Sequence, residues 1–408
     1  MNQTPQLMRR YKWLNRTVLG IGLASLFSDW SHEIVTTVLP LLLANLGGTA
    51  AWLGIIEGIA DGVSSFAKLF SGFFTDKLQK RKRVAVAGYL LTTFCTALTG
   101  LTTAAWHVLI LRTLAWLGRG VRTPVRKALL ASAVTPETYG RAFGFERMMD
   151  TLGAIVGPMT AITLLPIIKG NFAILFGLAA IPGLMAAIII ALTVHEQSRT
   201  VVPYVSFVGA IKELPSTYHR FLIGVSIFGI ADFSHTLLIL LATTKLTPTI
   251  GPVKAAALGA SLYLLRNTFY AGFAVVAGWL ADKFAKPLVL GFGYLLAALM
   301  SLLIIVAPPS IACLALIFAI GGIYIATEET LEDSLCAELV LPSRHGTAFG
   351  LLAAVNAVGD MVSSILVGVI WQVAGPSIAF AYCTVLFTLG ALIIFNIPKN
   401  QIKQLNTL

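Results

Sequence analysis

The sequence predicts an all-α membrane protein with twelve spanning helices, arranged as two pseudo-symmetric bundles of six. Three observations support this prediction: a strongly apolar composition, loops whose charge alternates along the chain, and motifs that occur twice. Of the 408 residues, 57% are hydrophobic and 12% are charged, with a mean hydropathy of +0.85. Soluble domains carry about 25% charged residues. A chain this apolar is expected to lie in a lipid bilayer rather than to form a large soluble domain.

Apolar runs long enough to cross a bilayer fill almost the whole chain. A helix rises about 1.5 Å per residue, so about 20 residues cross a hydrocarbon core about 30 Å thick. The first run follows a basic N-terminus, as in a signal peptide, but it continues to Leu46 without a small-residue cleavage pattern. We therefore expect it to be retained as a first helix. The predicted spans are 17–45, 50–74, 84–104, 106–130, 141–166, 170–193, 220–244, 253–279, 287–307, 311–336, 345–371 and 375–396.

The loops divide into a basic set and a nearly neutral set. The N-terminus, every second loop and the C-terminus together carry 18 Lys and Arg, whereas the opposite loops carry 3. Basic loops remain on the cytoplasmic side, so both termini are predicted to be cytoplasmic in a bacterial-type inner membrane. The same distribution explains the net charge of +11. The sequence therefore gives no reason to expect a nucleic-acid partner.

The chain contains an internal repeat. Residues 72–77 (G-x-x-x-D-K) recur as 278–283 and residues 140–144 as 346–350, both 206 positions later, and the D-x-S-H of 29–32 recurs at 232–235, 203 positions later. Repeats in the same order predict two halves related by an axis along the membrane normal. The longest polar connection separates them. The predicted organisation is a six-helix bundle over 1–193, a cytoplasmic linker over 194–219 and a second bundle over 220–408.

Three motifs resemble the signatures of the major facilitator superfamily, and the resemblance covers essentially the entire chain. Residues 72–82 resemble the signature between the second and third helices, with Gln79 where glycine is preferred. Residues 112–124 (R-x5-G-x-G-x3-P) are similar to the fourth-helix signature, with Trp116 in place of a customary glycine. Residues 153–158 (G-x3-G-P) resemble a fifth-helix signature common in antiporters. The resemblance implies a secondary transporter whose first, fourth, seventh and tenth helices line a central cavity.

Ionisable side chains inside membrane spans are costly, so each one is a candidate functional group. The first and seventh spans carry such groups a little beyond mid-depth: Asp29, His32 and Glu33, and Asp232 and His235. The D-x-x-H spacing would place both groups of each pair on one helical face. Its repetition favours a role in substrate or proton handling. The alternative is internal pairing that only stiffens the helix.

Two further spans carry polar stripes. Glu57 and Asp61 lie four residues apart in the second span, and Arg266 and Asn267 lie in the eighth. Asp232 is the first candidate partner for Arg266, which needs a counter-charge at that depth. The acidic groups of the first two spans, together with His32, offer an alternative cation site. Because the chain has no metal-ligand repeat, we expect no metal and no cofactor.

The fourth span is unusually basic. Arg112 and Arg119 are seven residues apart and lie close to one helical face. An arginine fork recognises a carboxylate through two parallel hydrogen bonds, which predicts an anionic or zwitterionic substrate. The alternative is that these arginines pair internally with Asp150 or Glu57.

Charge reversal between the repeats predicts a gate. Arg122 and Arg126 in the fourth span correspond, at the offset of 206, to Glu328 and Glu332 in the tenth. Desolvated opposite charges attract strongly, and hydration offsets their separation, so such contacts can form and break during a cycle. The resemblance further implies that Asp76 acts in a conformational latch.

The predicted function is secondary active transport of a small polar solute, charged or carboxylate-bearing, by alternating access and coupled to protons. The expected partners are that solute, protons and the lipid bilayer, and the expected oligomeric state is a monomer. Proton-driven efflux of drugs or other small molecules is an alternative, and a membrane receptor that does not transport is another. The sequence contains no phosphate-binding loop, nucleophile elbow or HExxH, so we do not expect an enzyme.

Overall fold

The computed structural model describes residues 13–48, 50–196, 206–308 and 310–398. These residues form fourteen α-helices and two short 3-10 helices, Pro136–Thr138 and Pro342–Arg344, and no β-strand. The α-helices are α1 (Arg16–Asn45), α2 (Ala50–Asp76), α3 (Arg81–Thr99), α4 (Ala105–Ser132), α5 (Tyr139–Ile167), α6 (Phe172–Thr193), α7 (Phe207–Lys212), α8 (Ser216–Gly229), α9 (His235–Ile250), α10 (Pro252–Lys283), α11 (Lys286–Val306), α12 (Ile311–Leu339), α13 (His345–Ala374) and α14 (Pro376–Phe395).

The chain divides into two compact units. The first comprises Met1–Glu213 and Leu341–Ala354, and therefore contains α1 to α7 together with the first turns of α13. The second comprises Leu214–Val340 and Val355–Leu408, which hold α8 to α12, the rest of α13, and α14.

Local sequence explains where several helices begin. The Asn15 side chain accepts hydrogen bonds from the amides of Thr17 and Val18 at 2.9 and 3.0 Å, which satisfies two free N–H groups at the start of α1. Asn171 caps α6 in the same way. Six described segments are individually long and apolar enough to cross a membrane: Pro136–Ile167, Phe172–Thr193, Lys286–Val306, Ile311–Leu339, Pro342–Ala374 and Pro376–Phe395.

The seventh span differs from its prediction. It was expected as one helix over 220–244, but α8 ends at Gly229 and α9 begins at His235, with residues 230–234 outside any α-helix. The prediction that Asp232 and His235 lie one turn apart on a single helical face is therefore wrong. A break inside a membrane needs other partners for its backbone groups.

Side chains from α13 and α14 supply those partners. The Ser363 hydroxyl donates to the carbonyl of Asp232 at 2.6 Å, and the Tyr382 hydroxyl donates to the carbonyl of Ile230 at 2.8 Å. The amide of Ser234 donates to the Ser364 hydroxyl at 3.3 Å. The break is thus a built feature of the second unit, stabilised by contacts more than 100 residues away in sequence.

Candidate functional site

An ion pair between Asp29 on α1 and Arg119 on α4 lies in the first unit. The Nη2 atom of Arg119 is 2.9 Å from Oδ1 of Asp29, which is 6% exposed. The sequence predicted Asp29 as a substrate- or proton-binding group and Arg119 as an anion-binding group. The structure joins the two, so each largely satisfies the charge of the other.

Trp116 organises the groups around this pair. The guanidinium carbons of Arg112 and Arg119 each lie 5.4 Å from its ring centroid, where a cation is attracted to the electron-rich face. The buried His32 ring meets Trp116 edge-on, with the ring centroids 5.0 Å apart. The residue that replaces glycine in the fourth-helix signature therefore separates two arginines and supports the predicted histidine.

Arg112 is paired with a carboxylate of α2. Its Nη2 atom is 3.1 Å from Oε1 of Glu57, and the same nitrogen donates to the Thr36 hydroxyl at 3.1 Å. Internal pairing with Glu57, one of the two alternatives drawn from the sequence, is therefore present in the structure. Arg112 itself is buried, whereas the Glu57 side chain is 33% exposed.

The polar stripe of α2 is open to its surroundings. Asp61, one turn after Glu57, is exposed, and Glu33 on α1 is half-buried. Charged groups inside membrane spans face the interior of a bundle or a water-filled cavity rather than lipid. The carboxylates of α2 therefore lie at an accessible surface of the first unit.

Glycines bring α5 close to α1 beside these groups. A Cβ atom added to Gly153 would lie 2.4 Å from the carbonyl oxygen of Leu26, and one added to Gly157 would lie 2.4 Å from the Cβ of Glu33. Only glycine allows this approach. The motif that resembles an antiporter signature thus has a packing role in the first unit.

Arg126 belongs to a buried network within the first unit. Its Nη2 atom is 2.7 Å from Oε1 of Glu146, its Nη1 atom is 3.7 Å from Oδ1 of Asp150, and Nη1 also donates to the Ser25 hydroxyl at 2.7 Å. Sequence reasoning missed Glu146, although a charged residue one turn before Asp150 in an apolar helix was a usable signal. Arg126 thus has two carboxylate partners in this conformation.

Arg122 has a different environment. Its guanidinium carbon lies 3.9 Å from the centroid of the Tyr89 ring, and the residue is 2% exposed. Among the described residues of the first unit, no carboxylate forms an ion pair with it. Of the two arginines predicted to form a gate, Arg122 is the one without an acidic partner in its own unit.

Asp76 caps the beginning of α13. Its carboxylate accepts hydrogen bonds from the amides of Gly346 and Thr347 at 2.9 and 2.7 Å and from the Thr347 hydroxyl at 2.7 Å. Arg81 lies 3.3 Å from the same carboxylate. An anion at a helix N-terminus satisfies free N–H groups and is stabilised by the helix dipole. Asp76 therefore fixes the first turn of α13 within the first unit.

In the second unit, Asp232 lies in the break between α8 and α9. The Tyr324 hydroxyl donates to its Oδ1 atom at 3.0 Å. The predicted ion pair with Arg266 is not formed within the described chain, although the buried Arg266 is one of the charges acting on Asp232. His235 stacks on the Tyr263 ring at a centroid distance of 4.7 Å, and Asn267 is half-buried on α10.

A second set of carboxyl groups lies on α12. Glu332 accepts hydrogen bonds at both oxygens, from the Tyr294 hydroxyl at 2.6 Å and from the Asn356 amide at 2.7 Å. Glu329 accepts one from the Tyr270 hydroxyl. Glu328 is 6% exposed, and its Oε2 atom has no hydrogen-bond partner among the described residues. The predicted gate residues of the tenth span thus differ sharply from each other.

The predicted residues therefore form separate groups. The structure joins Asp29 with Arg119 and Glu57 with Arg112 in the first unit, and places Asp232 and the α12 carboxyl groups in the second. The hydrogen bonds from Tyr324 to Asp232 and from Tyr294 and Asn356 to Glu332 were not predicted, because nothing in the local sequence marks these side chains as partners. Within the described residues, no group of three or more His, Cys, Asp or Glu is arranged to hold a metal ion.

The whole chain is similar to known membrane transporters. The sequence profile of the Major Facilitator Superfamily matches residues 21–244 and again residues 221–407. An uncharacterized MFS-type transporter of Methanocaldococcus jannaschii is 29% identical over 93% of this chain and 94% of its own. The multidrug resistance protein MdtH of Salmonella newport is 29% identical over 35% of this chain and 38% of its own. The crystal structure of the E. coli fucose:proton symporter FucP shares the fold, with a TM-score of 0.75, 15% identity, and coverage of 95% of this chain and 100% of that one.

Proposed function

The chain belongs to the Major Facilitator Superfamily, and on that premise we propose that it is a secondary active transporter of a small polar solute, working by alternating access and coupled to protons. The observation that carries this proposal is the pair of accessible carboxylates on α2. Glu57 is 33% exposed and Asp61 is exposed one turn later, inside a spanning helix. Exposed carboxylates at that position need water, and a hydrated path suits a polar solute.

The proposed substrate carries a carboxylate. Arg112 is the best-placed recognition group, because its present partner Glu57 is partly exposed and can be displaced. A substrate carboxylate that replaced Glu57 would receive two parallel hydrogen bonds from the guanidinium fork. Arg119 and Arg126 are held by carboxylates that are themselves buried, so displacement there costs more.

A ligand panel tests this assignment. Purified protein is heated with carboxylates, amino acids, sugars and aromatic cations, and ligands that bind the folded state raise Tm. We expect a carboxylate-bearing solute to raise Tm, and Arg112→Lys to weaken its affinity about tenfold, which is about 1.4 kcal/mol. Arg147→Lys is the matched control, since Arg147 pairs with Asp150 instead. Equal affinity in Arg112→Lys and the parent, or stabilisation by aromatic cations alone, would contradict the proposal.

The proposal assigns gating and coupling to different residues. Asp76 holds the start of α13, and Arg122 is proposed to close against Glu328 or Glu332 on the cytoplasmic side, with Arg126 in a supporting position. Asp29 and Asp232 are proposed to take part in proton coupling, because each is a carboxyl group beside a donor or cation whose distance can change during the cycle. We propose that both termini are cytoplasmic and that the protein works as a monomer in the inner membrane.

Efflux of small molecules is the second candidate. It is favoured by the relative named as a multidrug resistance protein, although that match spans about a third of this chain. Inside-out and right-side-out vesicles distinguish import of the solute from its export. A proton-driven exporter would accumulate the solute inside inside-out vesicles when their lumen is acidic. A receptor without transport would bind the solute in the ligand panel but accumulate it in neither orientation.

A further inference from the structure

The second unit gathers several carboxyl groups around the helix break, and the structure shows how each is stabilised. Asp232 receives a hydrogen bond from Tyr324, and Glu329 receives one from Tyr270. Glu332 receives two, so both of its oxygens have donors. Donors of this kind stabilise the ionised form of a carboxyl group. Each of these three groups therefore has at least one hydrogen-bond donor.

Glu328 lacks a donor at one of its carboxyl oxygens. It is 6% exposed, and its Oε2 atom has no hydrogen-bond partner among the described residues. The charged groups that act on it most strongly are all carboxylates: Asp232, Glu332, Glu329 and Asp360. Tyr294 on α11 and Tyr324 on α12 are further titratable groups that interact with Glu328, and Arg266 on α10 acts on Asp232 and Tyr324.

A negative charge at this position is costly for two reasons. An ionised carboxylate taken out of water without donors loses several kcal/mol of solvation. The surrounding carboxylates add repulsion, which is stronger in a medium of low dielectric constant. A protonated carboxyl group avoids both costs. When two carboxyl groups lie close together, one of them commonly binds a proton for this reason.

We propose that Glu328 is a further proton-binding residue of the second unit, in addition to Asp232, and is protonated in the conformation described here. Water or a cation that reaches Glu328 would stabilise the carboxylate, so the O–H bond breaks and the proton passes to water. Return to the described conformation, with a proton taken up from water, restores the protonated carboxyl group and completes the cycle. This inference rests on the proposed function for its role in transport, but the protonation itself is independent of any substrate.

The assignment differs from the sequence-based one in a specific way. The sequence pointed to Asp29 and Asp232 as the proton carriers and to Glu328 as a gate residue. Asp29 is held by Arg119 at 2.9 Å, and Asp232 has a hydroxyl donor at 3.0 Å, whereas the Oε2 atom of Glu328 is buried without a hydrogen-bond partner among the described residues. Glu328 therefore joins Asp29 and Asp232 as a candidate for a bound proton.

Infrared spectroscopy of the purified full chain in lipid tests the proposal without a substrate. A protonated carboxyl group gives a C=O stretching band that is absent from a carboxylate. The expected result is a band at neutral pH that is lost in Glu328→Gln and kept in Glu332→Gln, whose parent side chain already has donors at both oxygens. Glu328→Asp should keep a band at a shifted frequency, because the shorter side chain meets different neighbours.

The outcomes separate this inference from the proposed function. A band that survives unchanged in both Glu328→Gln and Glu328→Asp overturns the inference, as does a parent protein with no such band. If Glu328→Gln does not fold, the shift in Glu328→Asp decides the question. A protein that shows the Glu328 band but accumulates no solute would retain the proton-binding site and contradict the transport function instead.

Discussion

The ion pair between Asp29 and Arg119 gives a quantitative prediction for a double-mutant cycle. Removing one partner of a fully buried pair costs about 3–5 kcal/mol, because the other charge stays buried without compensation. The Asp29 side chain is 8% exposed and that of Arg119 is 22% exposed, so water reaches the arginine in part. Asp150 and Glu33 also act on Arg119. We therefore expect Asp29→Asn to lower the free energy of unfolding by about 2–3 kcal/mol, below the range for full burial.

The reciprocal change should cost more. Arg119→Gln leaves the more deeply buried Asp29 as an uncompensated carboxylate, so about 3–4 kcal/mol is expected. In the double variant both charges are gone and two polar side chains remain within hydrogen-bonding reach. Its cost should be at least about 2 kcal/mol less than the sum of the single costs, well beyond the 0.3–0.5 kcal/mol typical of independent sites.

The assay is reversible unfolding of the purified protein in mixed micelles by a denaturing detergent, followed by circular dichroism. Asp61→Asn serves as the control, because Asp61 is an exposed carboxylate and exposed changes are typically worth about 0.5 kcal/mol or less. Additive costs for Asp29→Asn and Arg119→Gln would refute the argument. They would show that the two charges do not compensate each other.

Three further predictions follow from contacts in the two units. Asp76→Asn removes a charge that accepts two amide hydrogen bonds at the start of α13, so it should destabilise that turn by about 1–3 kcal/mol. In a cysteine-free background, the rate of labelling of a cysteine engineered in that turn should then rise about tenfold. The control Thr75→Val should leave the labelling rate unchanged, because the Thr75 hydroxyl donates within its own helix. Gly157→Leu should lower Tm and Gly177→Leu should leave it nearly unchanged, because a Cβ at 157 meets Glu33 at 2.4 Å and one at 177 meets nothing within 4 Å. Ser363→Ala should cost about 1–3 kcal/mol in unfolding experiments, because the carbonyl of Asp232 in the helix break loses its donor, and a cost near zero would mean that water replaces it.

The sequence was sufficient for the fold because membrane spans are encoded locally. Hydrophobic length and loop charge gave helices whose ends differ from the structure by a few residues, as α2 does at Asp76. The repeat predicted two halves, and the three signature motifs predicted the family, which the matching profile confirms. The spacing of Arg112 and its possible partner Glu57 were also visible, because few other charges occur at that depth.

The helix break was not visible because its stabilising groups are distant. Residues 230–234 contain neither glycine nor proline, and the local signals are limited to Gly229 at the end of α8 and the Ser234 side chain that caps α9. The hydroxyls that stabilise it belong to Ser363 and Tyr382, 131 and 152 residues from the carbonyls they bind. The environment of Glu328 could not be predicted for the same reason. Tyr294 and Asn356 donate to Glu332 rather than to Glu328, and only the tertiary structure shows this.

Solute-driven proton movement in reconstituted vesicles tests the central claim most directly. A pH-sensitive dye trapped in the lumen reports protons while a carboxylate identified by the ligand panel is added outside. The account predicts a luminal pH change with the parent protein, an imposed pH gradient that drives accumulation of the solute, and loss of both in the Asp29→Asn, Asp232→Asn double variant. Accumulation of the solute without any pH change, or full gradient-driven transport by the double variant, would contradict proton-coupled transport by these residues.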